Sequence, residues 1–434
     1  MMLITTLLLG IIASTAPMIA DNDTYTLDNG LKVTLIDTPG GERSAIVVLY
    51  DIGGDHDPPG KSGLTHLLEH LHVTAATEHQ EARSVEKYMH QYPLGWNAQT
   101  GAEHTIFSTV FPKDQIKPEL RDAADRMRDL RITQADLDRE IPRVIREVGS
   151  MFEFYPQLLA FNHGMELVRP SLHDGRRGGA PDEVRNLTLE ELQAFHAAHY
   201  RPANARLIVA TPDVERIRPM IDELFAGIEP GSRIDPPPPR PKPAGDREDL
   251  ITIRTEYSPE YPSIAGVVMR APEVDDDNYA TFLVVVGRLF RSSLVTDDQP
   301  KPTVQYGLLD APEALVITDL VRDGETLADT RSRVDAAVHD ALHDPVTPAD
   351  VTWLEFNFGP MLGTMDVPPM MAKNNPYIAA FAPGRQAQMG LDGDLLRTQL
   401  RAVDDTGLSA LREWFETNQT MARMNVITGA DSED

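Results

Sequence analysis

The stretch "IEPGSRIDPPPPRPKPAGD", Ile228 to Asp246, constrains this chain more than any other feature. Proline has no amide donor and a fixed φ, so a four-proline run neither continues a helix nor sits inside a sheet. With almost no apolar content around it, the stretch reads as a linker. It divides the 434-residue chain into two halves of similar size, each long enough to bury a core of its own.

The halves repeat one another. "SIAGVVMRAP" from Ser263 echoes "SAIVVLYDIG" from Ser44, an offset of 219 residues. "ARMNVITGAD" from Ala422 echoes "ARLIVATPD" from Ala205, an offset of 217. Two pairs at nearly one offset indicate internal duplication. Strands and helices in mixed order give an α+β fold class: two homologous domains, each a mostly antiparallel sheet with helices on one side. The expected boundaries are a leader 1–20, a first domain 21–228, the linker 229–246 and a second domain 247–434.

Within the first half, Asn29-Gly30 in "YTLDNGLKVTLID" predicts a hairpin, and "SAIVVLYDIG" a third strand. Helices are expected over Ser62–Ala75 and Glu81–Tyr92, and a strand over "NAQTGAEHTIFSTVFP". A helix Pro118–Leu130 follows, with proline at its first position, and another starts near Thr133. Thr188 and Glu191 form a capping box for "LEELQAFHAAHY". A strand "NARLIVATPD" and a helix Asp213–Gly227 close the half.

Composition narrows the function classes. With 67 Asp+Glu against 40 Lys+Arg, the chain lacks the basic face that phosphate binding needs, so no nucleic-acid partner is expected. The absence of cysteine rules out disulfides and thiolate ligands, leaving His, Asp and Glu for any metal. No internal run is long enough for a membrane span. The apolar run Leu3–Ala13, followed by small residues and Asp21, has the order of a secretory signal peptide, although no Lys or Arg precedes it. Cleavage is expected after Ala20 or Ala16, with a periplasmic or secreted destination.

Chemistry concentrates in "SGLTHLLEHLHV", Ser62 to Val73. On a helix, His66, Glu69 and His70 share a face, because positions three and four apart are neighbours. Two imidazoles one turn apart can reach a single zinc ion, and the carboxylate between them can take a proton from a water held there. Leu64, Leu67, Leu68 and Leu71 surround the polar triplet and supply packing. His72 falls about 200° from His70 and faces elsewhere. Two other close histidine pairs are weaker: His196/His199 encloses only alanines, and His339/His343 encloses Asp340 but has no evident third ligand. Both pairs read as packing or solvated residues. Zinc needs a third protein ligand. Glu140 and Glu147 lie seven residues apart on one helical face, with Pro142 between them, and by spacing alone they could equally be solvated surface acids.

The chain resembles the pitrilysin, insulysin and mitochondrial-processing-peptidase family of zinc metallopeptidases. That family carries H-x-x-E-H, then a ligating glutamate after about 76 intervening residues, with another glutamate seven positions before it. His66, Glu69, His70, Glu140 and Glu147 match this pattern. "YTLDNGLKVTLID", "GWNAQTGAEHTIFSTVFP" and "LTLEELQAFHAAHYRPANARLIVATPD" resemble the family's opening hairpin, its Asn-Ala-x-Thr strand and the end of its first domain. The resemblance implies one Zn2+ per chain held by His66, His70 and Glu147, with Glu69 as general base and Glu140 orienting a ligand. It also implies that Asn97 and Ala98 meet an extended peptide at a sheet edge.

In the second half the 219 offset maps His66–His70 onto Val285–Leu289, "VVGRL", with no ligand. This agrees with the family, in which only the first domain carries zinc. Family second domains bind substrate through an Arg and a Tyr seven positions apart. Here Tyr306 matches, but Gln299 stands at the arginine position and has no fixed positive charge. The resemblance therefore implies an endopeptidase acting in a two-chain chamber, as a homodimer or with a sister chain that supplies the Arg and Tyr. The alternative is a non-catalytic scaffold or partner subunit, against which the complete zinc set counts.

Overall fold

The computed structural model describes residues 23–154, 164, 178–237, 250–255, 262–294, 301–307, 311–367, 369–418 and 420–428. The expected leader, Gln299 and residues 238–246 of the linker lie outside them.

Strands β1 (Asp23–Thr26) and β2 (Lys32–Asp37) pair antiparallel around the Asn29-Gly30 turn, as the sequence predicts. Gly30 has φ 90°, which an L side chain rarely adopts. The Asn29 amide donates to the carbonyls of Phe225 and Ile228 at 2.8 and 3.0 Å, tying the turn to the end of the first half. The stretch expected as one strand after Trp96 is a hairpin, β4 (Trp96–Thr100) and β5 (Thr105–Pro112). The reversal falls at Gly101, whose amide donates to the His104 carbonyl. With β3 (Arg43–Tyr50) and β6 (Ala205–Thr211) these strands form a six-stranded sheet of order β1-β2-β6-β3-β5-β4. Only β2 and β6 run parallel, and β4 is an edge.

Helices α1 (Leu64–Thr74), α2 (Val85–Gln91), α3 (Ile116–Arg128) and α4 (Gln134–Phe154) follow the predicted positions within a few residues. Pro118 is the third residue of α3 rather than its first, and α4 runs on through Pro142. The Thr188–Glu191 capping box opens the helix Leu189–His199. Leu67, Leu68 and Leu71 of α1 pack with Val48, Phe107 and Leu207 of the sheet in the core of this half.

The sheet's other face is not open, which corrects the expectation of helices on one side only. The helix Pro376–Met389, from the second half, lays Ala379, Ala380, Phe381 and Ala382 against Val47, Leu49, Ile106, Ile208 and Ala210. The physical reason is in β3: Ile46 and Val48 face one core while Ala45, Val47 and Leu49 face the other, so both faces need cover. Gly384 allows the close approach, since a Cβ there would sit 2.8 Å from Ile208 Cδ1.

The second sheet runs β7 (Leu250–Thr255), β11 (Met421–Thr428), β8 (Ile264–Arg270), β10 (Ala311–Leu320), β9 (Thr303–Gly307). This is the order β2-β6-β3-β5-β4 again, with β7–β11 as its parallel pair, so the duplication read from two short echoes extends through the topology. The helix Tyr279–Ser293 takes the place of α1 and is apolar where α1 carries histidines. Gly164 of the first half lies on the far face of this sheet, where a Cβ would be 3.2 Å from Val268 Cβ. Each half thus lends chain to the other's sheet.

Candidate metal centre

α1 buries its leucine face and turns His66, Glu69 and His70 towards α4 and β4, its packing neighbours. α4 buries Leu137, Val144 and Val148, which places Glu140 and Glu147 on the side facing α1. The sequence-predicted ligands therefore converge. One donor atom from each of His66, His70 and Glu147 lies within 4.8 Å of the others. Tetrahedral zinc, with bonds of about 2.0–2.2 Å, needs donors roughly 3.3 Å apart, a closure on the order of an ångström. His70 Nε2 is 3.2 Å from Glu147 Oε2, and the His66 and His70 rings stand 5.1 Å apart, nearly perpendicular.

The outer contacts orient this set. His66 Nδ1 lies 2.9 Å from the Gly178 carbonyl, to which it donates when protonated, leaving Nε2 for an ion. His70 Nδ1 lies 3.4 Å from Glu140 Oε2. Glu140 is fully buried, and its other oxygen accepts from Arg139 at 2.8 Å with Arg143 at 3.6 Å. Burial alone would lower the His70 pKa, but hydrogen bonds to Glu140 and Glu147 outweigh it and raise the value to about 10. Burial pushes the Glu140 carboxyl up, and the His70 and Arg139 contacts more than offset it, so it stays below the usual range. The His70 hydrogen bond holds Glu147 below that range as well. An imidazole set between two carboxylates calls for a positive charge. Two neutral imidazoles and a carboxylate would meet the same demand with a zinc cation, so the donor set fits the metal.

Glu69 points out of the ligand trio, and its Oε2 accepts from Thr100 Oγ1 at 2.7 Å. Thr100 ends β4, so the candidate base is fixed by the edge strand itself. Asn97 and Ala98 lie on that edge, Asn97 exposed and Ala98 partly so. Sequence reading missed Thr100 and Gly178 as site residues. Thr100 was visible as the threonine of the Asn-Ala-x-Thr stretch. Gly178 carried only a loop-like Gly-Gly pair; its φ of 88° and a Cβ position 3.3 Å from His66 Nδ1 show why glycine is there.

Tyr306 departs from the expectation. β9 turns its ring inward, 8% exposed and edge-on to Phe282 at 5.6 Å, inside the second core. As placed it offers no hydroxyl to a peptide. His72 stacks on Phe107 at 3.8 Å, away from the metal set, as its helical angle predicts. His196 is buried against Tyr200, while His339 and His343 stack on each other in solvent. A second trio, Glu78, His79 and Asp125, also comes within 4.8 Å. There Asp125 is already shared between His79 at 2.7 Å and Arg128 at 3.0 Å, which accounts for it as an ion-pair cluster.

Comparison with known proteins decides the family. The family model described as insulinase (peptidase family M16) matches residues 32–166, and the one described as the peptidase M16 inactive domain matches residues 186–296. The chain belongs to the insulinase-like M16 peptidase family. Among curated relatives, the zinc protease PqqE of Helicobacter pylori is 25% identical over 203 residues, 43% of this chain and 43% of its own. Protease 3 of Escherichia coli K12 is 25% identical over 189 residues, 42% of this chain and 19% of its own. The matched stretch thus spans less than half the length of either relative. The structure of a Helicobacter pylori protease covers 94% of this chain and 99% of itself at TM-score 0.72 and 15% identity. That of the Escherichia coli periplasmic protease PqqL covers 95% and 48% at TM-score 0.70 and 15% identity. At these identities the likeness is one of fold. The family's two-domain architecture matches the duplicated sheets, and the insulinase model covers the half that holds α1.

Proposed function

We propose that the chain is a zinc metalloendopeptidase that cleaves peptides or short unfolded polypeptides, with His66, His70 and Glu147 as ligands and Glu69 as general base. The observation that carries this reading is the convergence of three ligand side chains beside a carboxylate held by the substrate-edge strand. Zinc, when bound, supplies Lewis-acid polarisation of the scissile carbonyl. The chain's own residues do the rest. Among the described residues β4 is an edge strand, and that edge can pair with an extended peptide whose backbone would run past Asn97 and Ala98. Thr100 donates to one Glu69 oxygen, leaving the other to take a proton from the attacking water and return it to the departing amine. Glu140 and the Gly178 carbonyl hold the two imidazoles in orientation.

The buried Tyr306, with Gln299 at the arginine position, supports a sister chain as the source of the Arg and Tyr that grip substrate. The apolar Leu3–Ala13 run supports export. PqqL, a structural neighbour, is described as periplasmic, and among the described residues here no helix is long and apolar enough to cross a membrane. The test is zinc content together with cleavage of a quenched peptide library, by the chain alone and with any sister chain. Full activity of the lone chain would remove the need for a partner. Stoichiometric zinc without cleavage in either setting would favour the scaffold reading.

A further inference from the structure

α1 starts on Gly63, which has φ 87° and no side chain with which to cap the helix. The amides of the first turn have no partners inside the helix. Asp57 supplies them from a separate loop: its Oδ2 accepts from Gly63 N at 2.7 Å and its Oδ1 from Thr65 N at 2.9 Å. Thr65 directly precedes His66. Asp57 is 6% exposed, so both bonds are shielded from water. At the other end, Arg83 donates to the Val73 carbonyl at 3.0 Å and Arg126 to that of His72, with Asp122 accepting from both guanidinium groups. Acceptor oxygens at the N-terminus and cations at the C-terminus suit the helix dipole.

The loop that carries Asp57 is itself anchored. Gly54 N donates to the Gly101 carbonyl at 3.0 Å, and Asp55 N to that of Ala102 at 2.7 Å. Gly101 follows Thr100, the residue that holds Glu69. The approach is tight, since a Cβ on Gly53 would sit 2.5 Å from the Gly101 oxygen. Residues 53–57 therefore connect the end of the edge strand to the first turn of the helix that carries both histidines.

We infer that Asp57 is a positioning residue: through the Gly63 and Thr65 amides it sets α1, and with it His66 and Glu69, against the β4 end that grips Glu69 through Thr100. The inference rests on the peptidase reading. Asp57 touches neither the ligand atoms nor the peptide edge, so its action passes through the backbone.

The experiment uses the full chain carrying Asp57→Asn or Asp57→Glu. Three quantities are compared with wild type: zinc affinity, the visible spectrum of the cobalt-substituted protein, and kcat and KM on a quenched peptide. In Asp57→Asn, whose amide group cannot accept both bonds, zinc affinity falls about tenfold and the cobalt bands shift. kcat drops while KM stays within about twofold, as expected when an interaction specific to the transition state is lost. Asp57→Glu restores the carboxylate and recovers part of each. Wild-type cobalt bands and zinc affinity in folded Asp57→Asn, with only a lower unfolding temperature, would overturn the inference. If Asp57→Asn fails to fold, Asp57→Glu decides alone: a displaced carboxylate with an unchanged spectrum, affinity and kcat overturns it. Wild type that binds zinc yet cleaves nothing would defeat the peptidase reading while leaving the spectra and affinities to judge Asp57.

Discussion

At the scale of single residues, the centre is an imidazole trapped between carboxylates. Glu140 holds His70 through its Nδ1, while Glu147 stands at Nε2, where an ion would bind. Glu140→Gln keeps the shape but removes the charge that raises ligand basicity, so zinc affinity should fall by about 10–100-fold. Competition against a chelator measures it, and an unchanged affinity would mean that Arg139 and Arg143 already neutralise Glu140 completely. The buried histidines make a second residue-scale prediction. Burial pushes His196 down to about 3 and holds His72 and His104 well below the usual imidazole value. Such a group is neutral when folded and protonates near 6.5 when unfolded. Its contribution is therefore complete above about pH 6.5 and is lost as pH falls below it. Asp57 and Glu119, raised by burial to about 7, act in the opposite direction as pH rises through the acid range. A variant isolates the histidine term. Between pH 6 and 4, the stability of wild type relative to His196→Gln should fall by about 1.4 kcal/mol per pH unit. Urea melts at several pH values test this, and a pH-independent difference would contradict it.

At the scale of elements, α1 is a short helix that combines a leucine face with a face of candidate ligands. Both were legible, because leucines and ligands alike follow the 3.6-residue period. α4 was legible in its acids, although Pro142 gave no clue that the helix continues through it. What held these helices was harder to read. Gly178, Thr100 and Asp57 act through one or two hydrogen bonds each, made by chain folding, and such contacts leave no periodic trace. The β4–β5 hairpin was read as one strand because its turn, Gly101–His104, has only one glycine to mark it. Tyr306 was placed by motif spacing alone, and the inward side of β9 overrode that. Packing gives a further test. Leu68, next to Glu69 in the chain, is fully buried, and Leu68→Ala should cost about 2–5 kcal/mol, with zinc affinity falling as α1 loosens. Destabilisation with intact zinc affinity would show that the end contacts suffice to hold the ligands.

At the scale of the whole molecule, duplication was legible in two short echoes, and the repeated strand order confirms it. The exchange of cover between the halves was not. The stretch "PYIAAFAPGRQAQM" contains two prolines and many small residues, so it lacks the stripe of a surface helix. It packs tightly against the first sheet because its residues are small. The second half also shows what stands at the position that duplicates the candidate site. At the offset position of Glu69 stands Arg288, buried and bonded to Asp350, with valines and leucine around it. Cover exchanged between halves predicts one cooperative transition for the chain. Phe381→Ala, at the shared face, should cost about 3–5 kcal/mol and shift that single transition as a whole. Two separated transitions by calorimetry would contradict this.

The central claim is that α1 and α4 together make a working zinc peptidase centre. One paired measurement tests it most directly: zinc per chain and the rate of peptide cleavage, in wild type and in Glu69→Gln, with any sister chain present. About one zinc per chain is expected in both proteins. Cleavage in wild type should fall by about 10²–10⁴-fold in the variant, the range expected for loss of a general base. Wild type without stoichiometric zinc, or a Glu69→Gln variant that cleaves as fast as wild type, would contradict it.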